Sequence, residues 1–586
     1  MQPSSDSSGS SGDNGGGSAL KRFGPVAAIV AVIAIVVGVV VFSSGDDSTD
    51  EPDETTQSTD GTDAPATAGA PGAITYDQAQ EEGLDVTFMD TCDTETGNVA
   101  IPFFNPPDCY ANVDDNGGAT SPGVTADTIS VVYWNAPDVD PTLDFVTGPI
   151  ANDDTAEEIR DTVLDYVDMF NEFYQLYGRQ VEVHVIQGGT SEDSVTARAT
   201  AKQAIEEFAP FAAFGGPALT NAWSDEMAQN GVVCIGCGAT GGQDFLAERQ
   251  PFLYGGMSGN QLNLHGAEYI AARLKDGKAE FGGDDVKDQD RVFGHLYITT
   301  GEESEKNAEV LYDQLEQRGI TIADENKQNY ELTAEAIGRL PETATSIIQK
   351  FKNQGVTSII IQADPVAPSF FTTAATDQEY FPEWVIVGGT LVDTNVFGRV
   401  FGQDQWTHAF GISTLAVRTD PNLQSAIFVH KWYTGDPEPP APDTAPVLLA
   451  APAGLFAGLQ AAGPTLTPEN YQLGAFAAAP PEEHGFLNAV STFGEHGLWD
   501  DIGITLDLGG TDDMTEIWWD ADAEGVDELD EQGSGLYKFV DGGRRYYSSE
   551  WADSTGVPFA DAGAESFLVD LPPSETPKDY PSPAGS

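Results

Sequence analysis

The sequence predicts an α/β fold with two Rossmann-like lobes, each a parallel sheet flanked by helices, together with an N-terminal transmembrane helix. Short runs of β-branched residues alternate with longer amphipathic segments, which is the pattern of parallel strands covered on both faces. These units outnumber what one doubly wound sheet needs, and 586 residues are too many for one compact domain. An uncharged apolar run at residues 23–42 is long enough to cross a bilayer.

The flanks of this apolar run predict its orientation. Lys21 and Arg22 precede it, and an acidic stretch follows it. The positive-inside rule therefore predicts a short cytoplasmic tail at 1–22 and an extracytoplasmic position for everything after the run. No lipidation cysteine ends the run, and Ser43-Ser44-Gly45 is a poor cleavage site. We expect residues 23–42 to stay as a single-pass anchor in the cell membrane.

Composition limits the class of partner. The chain has 25 Lys and Arg against 94 Asp and Glu, a formal charge of −69. Such a surface cannot neutralise phosphates, so nucleic-acid binding is excluded. Residues 43–72 are acidic and rich in Ser, Thr, Pro and Gly, which predicts a disordered linker. The remaining predicted units are a cysteine-containing extension at 73–122, the two lobes at 123–571 with crossovers near 255–260 and 388–415, and a tail at 572–586.

The predicted elements follow from periodicity and from Gly and Pro positions. The predicted strands are 128–134, 180–186, 211–214, 231–235, 252–254, 292–299, 320–323, 356–361 and 384–387, followed by a closing hairpin region at 514–519, 535–540 and 544–547. The predicted helices are 156–178, 194–208, 219–230, 260–274, 303–318, 342–354, 366–376, 421–434, 447–462 and 484–492.

The four cysteines form two groups that are close in sequence. Cys92 and Cys109 suggest a local bridge in an oxidising compartment, which would pin the extension. Cys234 and Cys237 form a CxxC at a strand end rather than at a helix N-terminus. We expect that second pair to be buried and structural, whether oxidised or reduced, because a redox CxxC needs its thiolate stabilised by a helix.

Motifs for enzymatic chemistry are missing or incomplete. Gly236 to Gly241 reads G-x-G-x-x-G after a strand, but Pro251 soon ends the short helix that follows, so a dinucleotide site is disfavoured. The seven histidines show no metal-ligand spacing, and no nucleophile elbow or phosphate-binding loop occurs. The sequence therefore predicts no catalytic residue, no metal site and no cofactor.

Local phrases of the sequence resemble a known family. Residues 123–131, GVTADTISV, resemble the first strand of type I periplasmic binding proteins, in the branched-chain amino-acid (leucine-binding-protein-like) branch of ABC transporter substrate-binding proteins. The segment from Cys92 to Cys109 resembles an N-terminal extension of actinobacterial members. Residues 215–221, GGPALTN, and 237–240, CGAT, resemble the two loops that grip the carboxylate of the ligand. The resemblance covers roughly residues 120–550.

This resemblance implies a function and a set of site residues. It implies an extracytoplasmic solute-binding protein of an ABC-type uptake system, not an enzyme, that binds an amino acid or a related amide or carboxylate and docks on an ABC permease. Both loops follow a strand and open toward a helix, where backbone N–H groups and hydroxyls can bind an anion. The candidates are Thr220, Asn221, Gly238, Ala239 and Thr240 for the carboxylate, Trp134 and Tyr254 for the apolar wall, and Glu302, Asp364 and Asp393 for an amine.

Each candidate also has a simpler interpretation. The threonines can cap helices, the aromatics can belong to the core, and each acid can be a solvated loop residue. The family's second-lobe tyrosine is replaced here by Thr300-Gly301-Glu302, so a ligand other than leucine is open. A membrane-anchored sensory or protein-interaction ectodomain with the same fold is the alternative function.

Overall fold

The computed structural model describes two α/β lobes preceded by a short extension. The described residues are 69–585 apart from 104–105, 143, 145–153, 239–240, 300–301, 332, 389–390, 420–424, 482–483, 501–502, 530, 570 and 573–574. The predicted cytoplasmic tail, the apolar run at 23–42 and most of the linker lie outside them. Within the described ranges, no helix is long and apolar enough to cross a membrane.

The first lobe is built on five parallel strands in the spatial order β4-β3-β5-β6-β7. The chain runs from β3 to β4 on one side and then continues with β5 on the other side of β3, which makes a topological switch point. The extension contributes α1 (Tyr76–Glu82), β1 (Cys92–Asp93) and β2 (Asn98–Val99), and the lobe contributes β3 (Thr128–Asn135), α2 (Ala156–Phe173), β4 (Gln180–Gln187), α3 (Ser194–Phe208), β5 (Ala212–Phe214), α4 (Ala222–Gln229), β6 (Val233–Ile235), α5 (Gln243–Ala247) and β7 (Leu253–Tyr254).

The second lobe has a larger sheet in the order β15-β14-β12-β11-β10-β8-β9, with β16 also paired to β14. Its first five strands in the chain are parallel, and β14 is antiparallel to both β12 and β15. Up to the end of β12 its elements are α6 (Gly259–Arg273), β8 (Phe293–Thr299), α7 (Glu302–Gln317), β9 (Lys327–Glu331), α8 (Ala334–Ile337), α9 (Leu340–Gln354), β10 (Ser358–Gln362), α10 (Ala367–Asp377), β11 (Glu383–Val387), α11 (Asn395–Gly398), α12 (Gln403–Trp406) and β12 (Ala409–Ser413).

After β12 the chain returns to the first lobe and then crosses a third time. Tyr166 of α2 donates a hydrogen bond to the carbonyl of Ala426, and Phe170 packs on Phe456, so the returning helices complete the first lobe. The chain then re-enters the second lobe to form its antiparallel strands. The elements are β13 (Arg418–Thr419), α13 (Ser425–Thr434), α14 (Ala445–Leu448), α15 (Ala450–Ala461), α16 (Pro468–Phe476), β14 (Asp513–Val526), β15 (Gln532–Phe539), β16 (Arg545–Tyr547) and β17 (Phe567–Leu568).

Two predicted elements are wrong, and one central strand was missed. Residues 320–323 are not a strand; Ile320 and Ile322 are buried in a loop, and the edge strand beside β8 is β9 instead. Residues 484–492 form no helix. The missed strand, β12, reads Ala-Phe-Gly-Ile-Ser and lacks the run of β-branched residues that marks its neighbours.

The two ends of the described chain pack against the first lobe. Ala70, placed by the sequence in the disordered linker, is buried. The described residues of the predicted tail are packed, because the Glu575 carboxylate accepts backbone hydrogen bonds from Phe486 and Leu487 at 2.9 and 2.8 Å. Trp432 also donates from Nε1 to the carbonyl of Tyr580 at 2.9 Å. Hydrogen-bonded backbone and a buried carboxylate hold this segment in place.

Both disulfides form. Cys92–Cys109 ties the extension into a loop, and Cys234–Cys237 closes a tight turn at the end of β6. The extension lies on the first lobe, where Phe103 packs against Phe170 of α2 with ring centroids 6.2 Å apart. The predicted bridge between Cys92 and Cys109 is confirmed, and the second pair, expected to be buried in either oxidation state, is buried and bridged.

Candidate functional site

The candidate site lies at the carboxyl edge of the first-lobe sheet, at its switch point. Ligands of doubly wound sheets bind in the crevice outside the strand ends where the strand order reverses. Here that position lies between the ends of β3 and β5, where a Cβ atom on Gly215 would fall 2.8 Å from the carbonyl oxygen of Trp134. The loop after β5 therefore passes directly over the end of β3.

The loops after β5 and β6 are packed together. A Cβ atom on Gly216 would lie 2.1 Å from the carbonyl oxygen of Cys237, and one on Gly238 would lie 2.3 Å from the carbonyl oxygen of Pro217. Gly238 also has a φ of +94°, which few side-chain-bearing residues adopt. Only glycine fits at these crossings, so the two loops act as one backbone cradle.

The same cradle meets the second lobe. The backbone N–H of Gln243, at the start of α5, donates to Oδ1 of Asn260 in α6 at 2.9 Å. A Cβ atom on Gly242 would contact Asn307 of α7 at 3.1 Å. The loop after β6 therefore lies between the lobes, where a bound solute would contact both.

Buried polar atoms without partners collect at this edge. Asn221 is 1% exposed, and neither its Oδ1 nor its Nδ2 has a hydrogen-bond partner among the described residues. The Oδ1 of Asn135, the Oγ of Ser191 and the Nε1 of Trp134 are likewise unpaired. The loops share a contact, because Leu219 donates from its backbone to the carbonyl of Ser191 at 3.1 Å. Each unpaired buried group costs about 1–3 kcal/mol, so a bound molecule or water is expected to pair with them.

Asn221 is the residue in this group that points most clearly to a ligand. It occupies the N-cap position of α4, yet its side chain makes no capping hydrogen bond. The neighbouring Thr220 does contribute locally, since its Oγ1 accepts from the backbone N–H of Ala222 at 3.3 Å. An amide that can both donate and accept, at a helix N-terminus, suits a carboxylate or an amide group.

The other predicted residues of the first lobe fall in different places. Trp134 is buried, and its indole fills the space beside Gly188, so it is largely a core residue with one unpaired N–H. Gly238 lies in the cradle. Ala239 and Thr240 lie outside the described residues, and their predicted contacts with a ligand stay predictions.

The structure describes the side chains of two of the three candidate acids in the second lobe, Asp364 and Asp393. Asp364 is buried, its Oδ1 accepts from the backbone N–H groups of Val366 and Ala367, and its Oδ2 accepts from Tyr330 at 2.6 Å. It therefore caps α10. Glu302 begins α7, and its side chain lies outside the described part of the structure.

Asp393 is different, because one of its carboxylate oxygens is unused. Oδ2 accepts a hydrogen bond from Ser413 at the end of β12, whereas Oδ1 has no partner among the described residues. Burial raises the pKa of Asp393 to about 6. A buried carboxylate with a free oxygen at the carboxyl edge of the sheet is suited to an ammonium group, which would offset its desolvation.

Tyr254 lies apart from the unpaired polar side chains at the switch point. Its ring packs edge-on against Tyr471 and Phe493, and it lines a separate cavity beside β7. In the described part of the chain, no cluster of three or more His, Cys, Asp or Glu side chains could hold a metal ion.

Sequence reasoning missed Asn135, Ser191 and Ser413. Asn135 ends β3, and the alternation of β-branched residues that marked this strand carried no information about its last polar residue. Ser191 and Ser413 come from segments far from the motif loops in sequence. A rule that polar residues at the ends of parallel strands line the crevice would have found Asn135, whereas Ser413 ends β12, the strand that periodicity missed.

No protein-family model matches the chain, and no curated protein matches it. Several solved structures match the chain. The chain is similar to ABC transporter substrate-binding proteins. One from Aeropyrum pernix is 14% identical and has a TM-score of 0.49, with 73% of this chain and 100% of that chain covered.

Two further structures have the same kind of name. An ABC transporter substrate-binding protein from Sphaerobacter thermophilus is 14% identical over 72% of this chain and 98% of its own, with a TM-score of 0.47. One from Desulfitobacterium hafniense, in complex with Leu, is 14% identical over 72% of this chain and 100% of its own, with a TM-score of 0.40. All three are named as transport proteins rather than enzymes.

Proposed function

We propose that this protein is an extracytoplasmic solute-binding protein of an ABC-type uptake system, held at the membrane by residues 23–42. Its solute is a small molecule that carries a carboxylate or amide, of the amino-acid class, and its macromolecular partner is an ABC permease. The observation that carries the proposal is the amide of Asn221, which is buried at the switch point of the first lobe and has no hydrogen-bond partner in the described part of the chain. A solute that pairs with this amide would recover the cost of burying it.

The second lobe supplies the complementary charge in this proposal. The solute carboxylate would meet Asn221 and the backbone N–H groups of the cradle, while its ammonium would meet Oδ1 of Asp393. Lobe closure needs only that the solute binds the closed arrangement more tightly than the open one. The contact of Gln243 with Asn260 shows how near the cradle lies to the second lobe.

The test is thermal unfolding of the full chain in detergent against amino acids, amides, small peptides, sugars and organic acids. A solute at a hundred times its dissociation constant adds about 2.7 kcal/mol to the free energy of unfolding. We expect a shift with one carboxylate or amide class, and its loss in Asn221→Ala.

The variants separate a binding role from a structural one. Asn221→Ala removes two unpaired buried atoms, so its unfolding temperature without solute should stay the same or rise. The matched control Thr220→Val removes a hydroxyl that accepts from Ala222 and should lower that temperature. Failure of every compound to shift the wild-type protein would reject solute binding and favour the sensory or protein-interaction ectodomain.

A further inference from the structure

A cavity of about 690 Å3 lies beside the carboxyl ends of β6 and β7, apart from the candidate site. Helices α15 and α16 form one wall, the extension around Pro106 and Pro107 forms another, and the crossover residues Gly255 and Gly510 form the floor. Its volume falls within the range of small-molecule sites. It is distinct from the unpaired atoms over β3 and β5, although Gly236 and Gly238 of the loop after β6 also line it.

The walls of this cavity are apolar and nearly uncharged. Alanines and glycines of α15 and α16 are the largest group of lining residues, and aromatic rings come from Tyr254, Tyr471 and Phe493. No Lys or Arg lines it, and Asp108 at the extension is the one charged residue among the described lining residues. In a chain with a formal charge of −69, this lining disfavours an anionic molecule.

One polar group in the cavity has no partner. Tyr254 is buried, with 3% of the residue exposed, and its hydroxyl makes no hydrogen bond among the described residues. Two other polar side chains of the lining are engaged: Gln460 accepts from the backbone of Gln175 and donates to the carbonyl of Asp108, and Ser491 donates to the carbonyl of Gly510. A buried phenol hydroxyl normally has a partner.

We propose that this cavity is a second binding site, for a neutral and largely apolar small molecule with one hydrogen-bonding group that pairs with Tyr254. The alanines and glycines of α15 and α16 leave a smooth wall. Recognition therefore rests on shape, on burial of apolar surface and on that one hydrogen bond. Gly454 shows how open the wall is, since a Cβ atom there would approach only Ile235, at 3.6 Å.

The probe is decan-1-ol carrying a photoreactive diazirine, applied to the full chain in detergent, with labelled peptides mapped by mass spectrometry. We expect saturable labelling of peptides from 450–478 and around Tyr254, displaced by decan-1-ol and not by decanoate. Ala457→Phe places a ring in the cavity and should abolish this labelling. Tyr254→Phe removes only the hydroxyl and should raise the concentration of decan-1-ol that halves the labelling by about fivefold.

The control variant is Leu473→Phe. Leu473 lies on the same helix, α16, but is 42% exposed and outside the cavity lining, so labelling should be unchanged. Circular dichroism and unfolding temperature show whether Ala457→Phe is folded; if it is not, Tyr254→Phe decides. Labelling confined to residues 23–42, equal displacement by decanoate, or wild-type labelling in both cavity variants would overturn the proposal.

Discussion

Gly216 and Cys237 cross so closely that a single added carbon on Gly216 would lie 2.1 Å from the Cys237 carbonyl oxygen. The two residues belong to loops that follow different strands, and their contact joins those loops into the cradle beside Asn221. The geometry of the candidate site therefore depends on a backbone crossing and not only on the side chains that would touch a solute.

We expect Gly216→Ala to separate the two loops. The substitution should lower stability by about 1–3 kcal/mol, as overpacking does, and weaken solute binding more strongly because the cradle loses its shape. Chemical denaturation and isothermal titration with the solute found by thermal shift measure both effects. Gly454→Ala is the control, since its added carbon has room and helix propensity favours alanine; equal loss in both variants would contradict the role of the crossing.

Asp393 should govern how binding and stability depend on pH. Its pKa is raised from 3.8 to about 6 by burial, so the folded protein without solute binds the proton more tightly than the unfolded chain does. Its contribution to stability is therefore present below pH 4 and is lost as the pH rises to about 6. Asp393→Asn should be more stable than wild type above pH 6, by up to about 3 kcal/mol.

Solute binding should respond to Asp393 in the opposite sense. An ammonium group needs the carboxylate, so affinity should fall as the pH drops below about 6, and Asp393→Asn should bind about tenfold more weakly or worse at pH 7. Asp364→Ala serves as the comparison, because it leaves two backbone N–H groups of α10 unpaired and should cost stability. Unchanged affinity in Asp393→Asn would remove this residue from the site.

The disulfides should differ in their effect on stability. Cys92–Cys109 spans 17 residues, so the double variant Cys92→Ser, Cys109→Ser should lose about 3 kcal/mol on the chain-entropy account. Cys234–Cys237 spans 3 residues, so its removal should cost less stability. Because Cys237 is part of the cradle, removal of this bridge should weaken solute binding more than removal of the first. Denaturation curves and titrations of both double variants check this order.

Asp512 should make the protein less stable as the pH rises. Burial and the neighbouring carboxyl of Asp507 raise the pKa of Asp512. The folded state then holds a proton that the unfolded chain releases near pH 4, so stability falls as the pH increases through the range between the two pKa values. Asp512→Asn should remove that decline in denaturation curves taken from pH 4 to 9.

The control for Asp512 is Thr492→Val. Thr492 donates to Oδ2 of Asp512 from both its hydroxyl and its backbone N–H at 2.8 Å, and the variant keeps the carboxyl pair intact. It should be less stable than wild type but retain the decline with pH. An unchanged decline in Asp512→Asn would show that other groups cause it.

Local patterns predicted much of the fold. Helix α3 lies at residues 194–208 as expected, and the parallel strands of both lobes, except β9 and β12, lie within one to three residues of their predicted bounds. Periodicity sufficed because these segments bury one face against a sheet. It failed at β12, where Gly411 and the small residues of a central strand carry no alternating signal.

The amino-acid sequence by itself determined the α/β class, the two lobes and the bridge between Cys92 and Cys109, because all three follow from short-range patterns. The tertiary structure decided which polar residues are left unpaired. Nothing in the sequence separates Asp364 from Asp393. Tyr330 and the backbone at the start of α10 donate hydrogen bonds to Asp364, whereas Ser413 is the one described residue that donates a hydrogen bond to the Asp393 side chain. Those partners come from distant segments, and whether a buried group has a partner depends on which segments folding brings together.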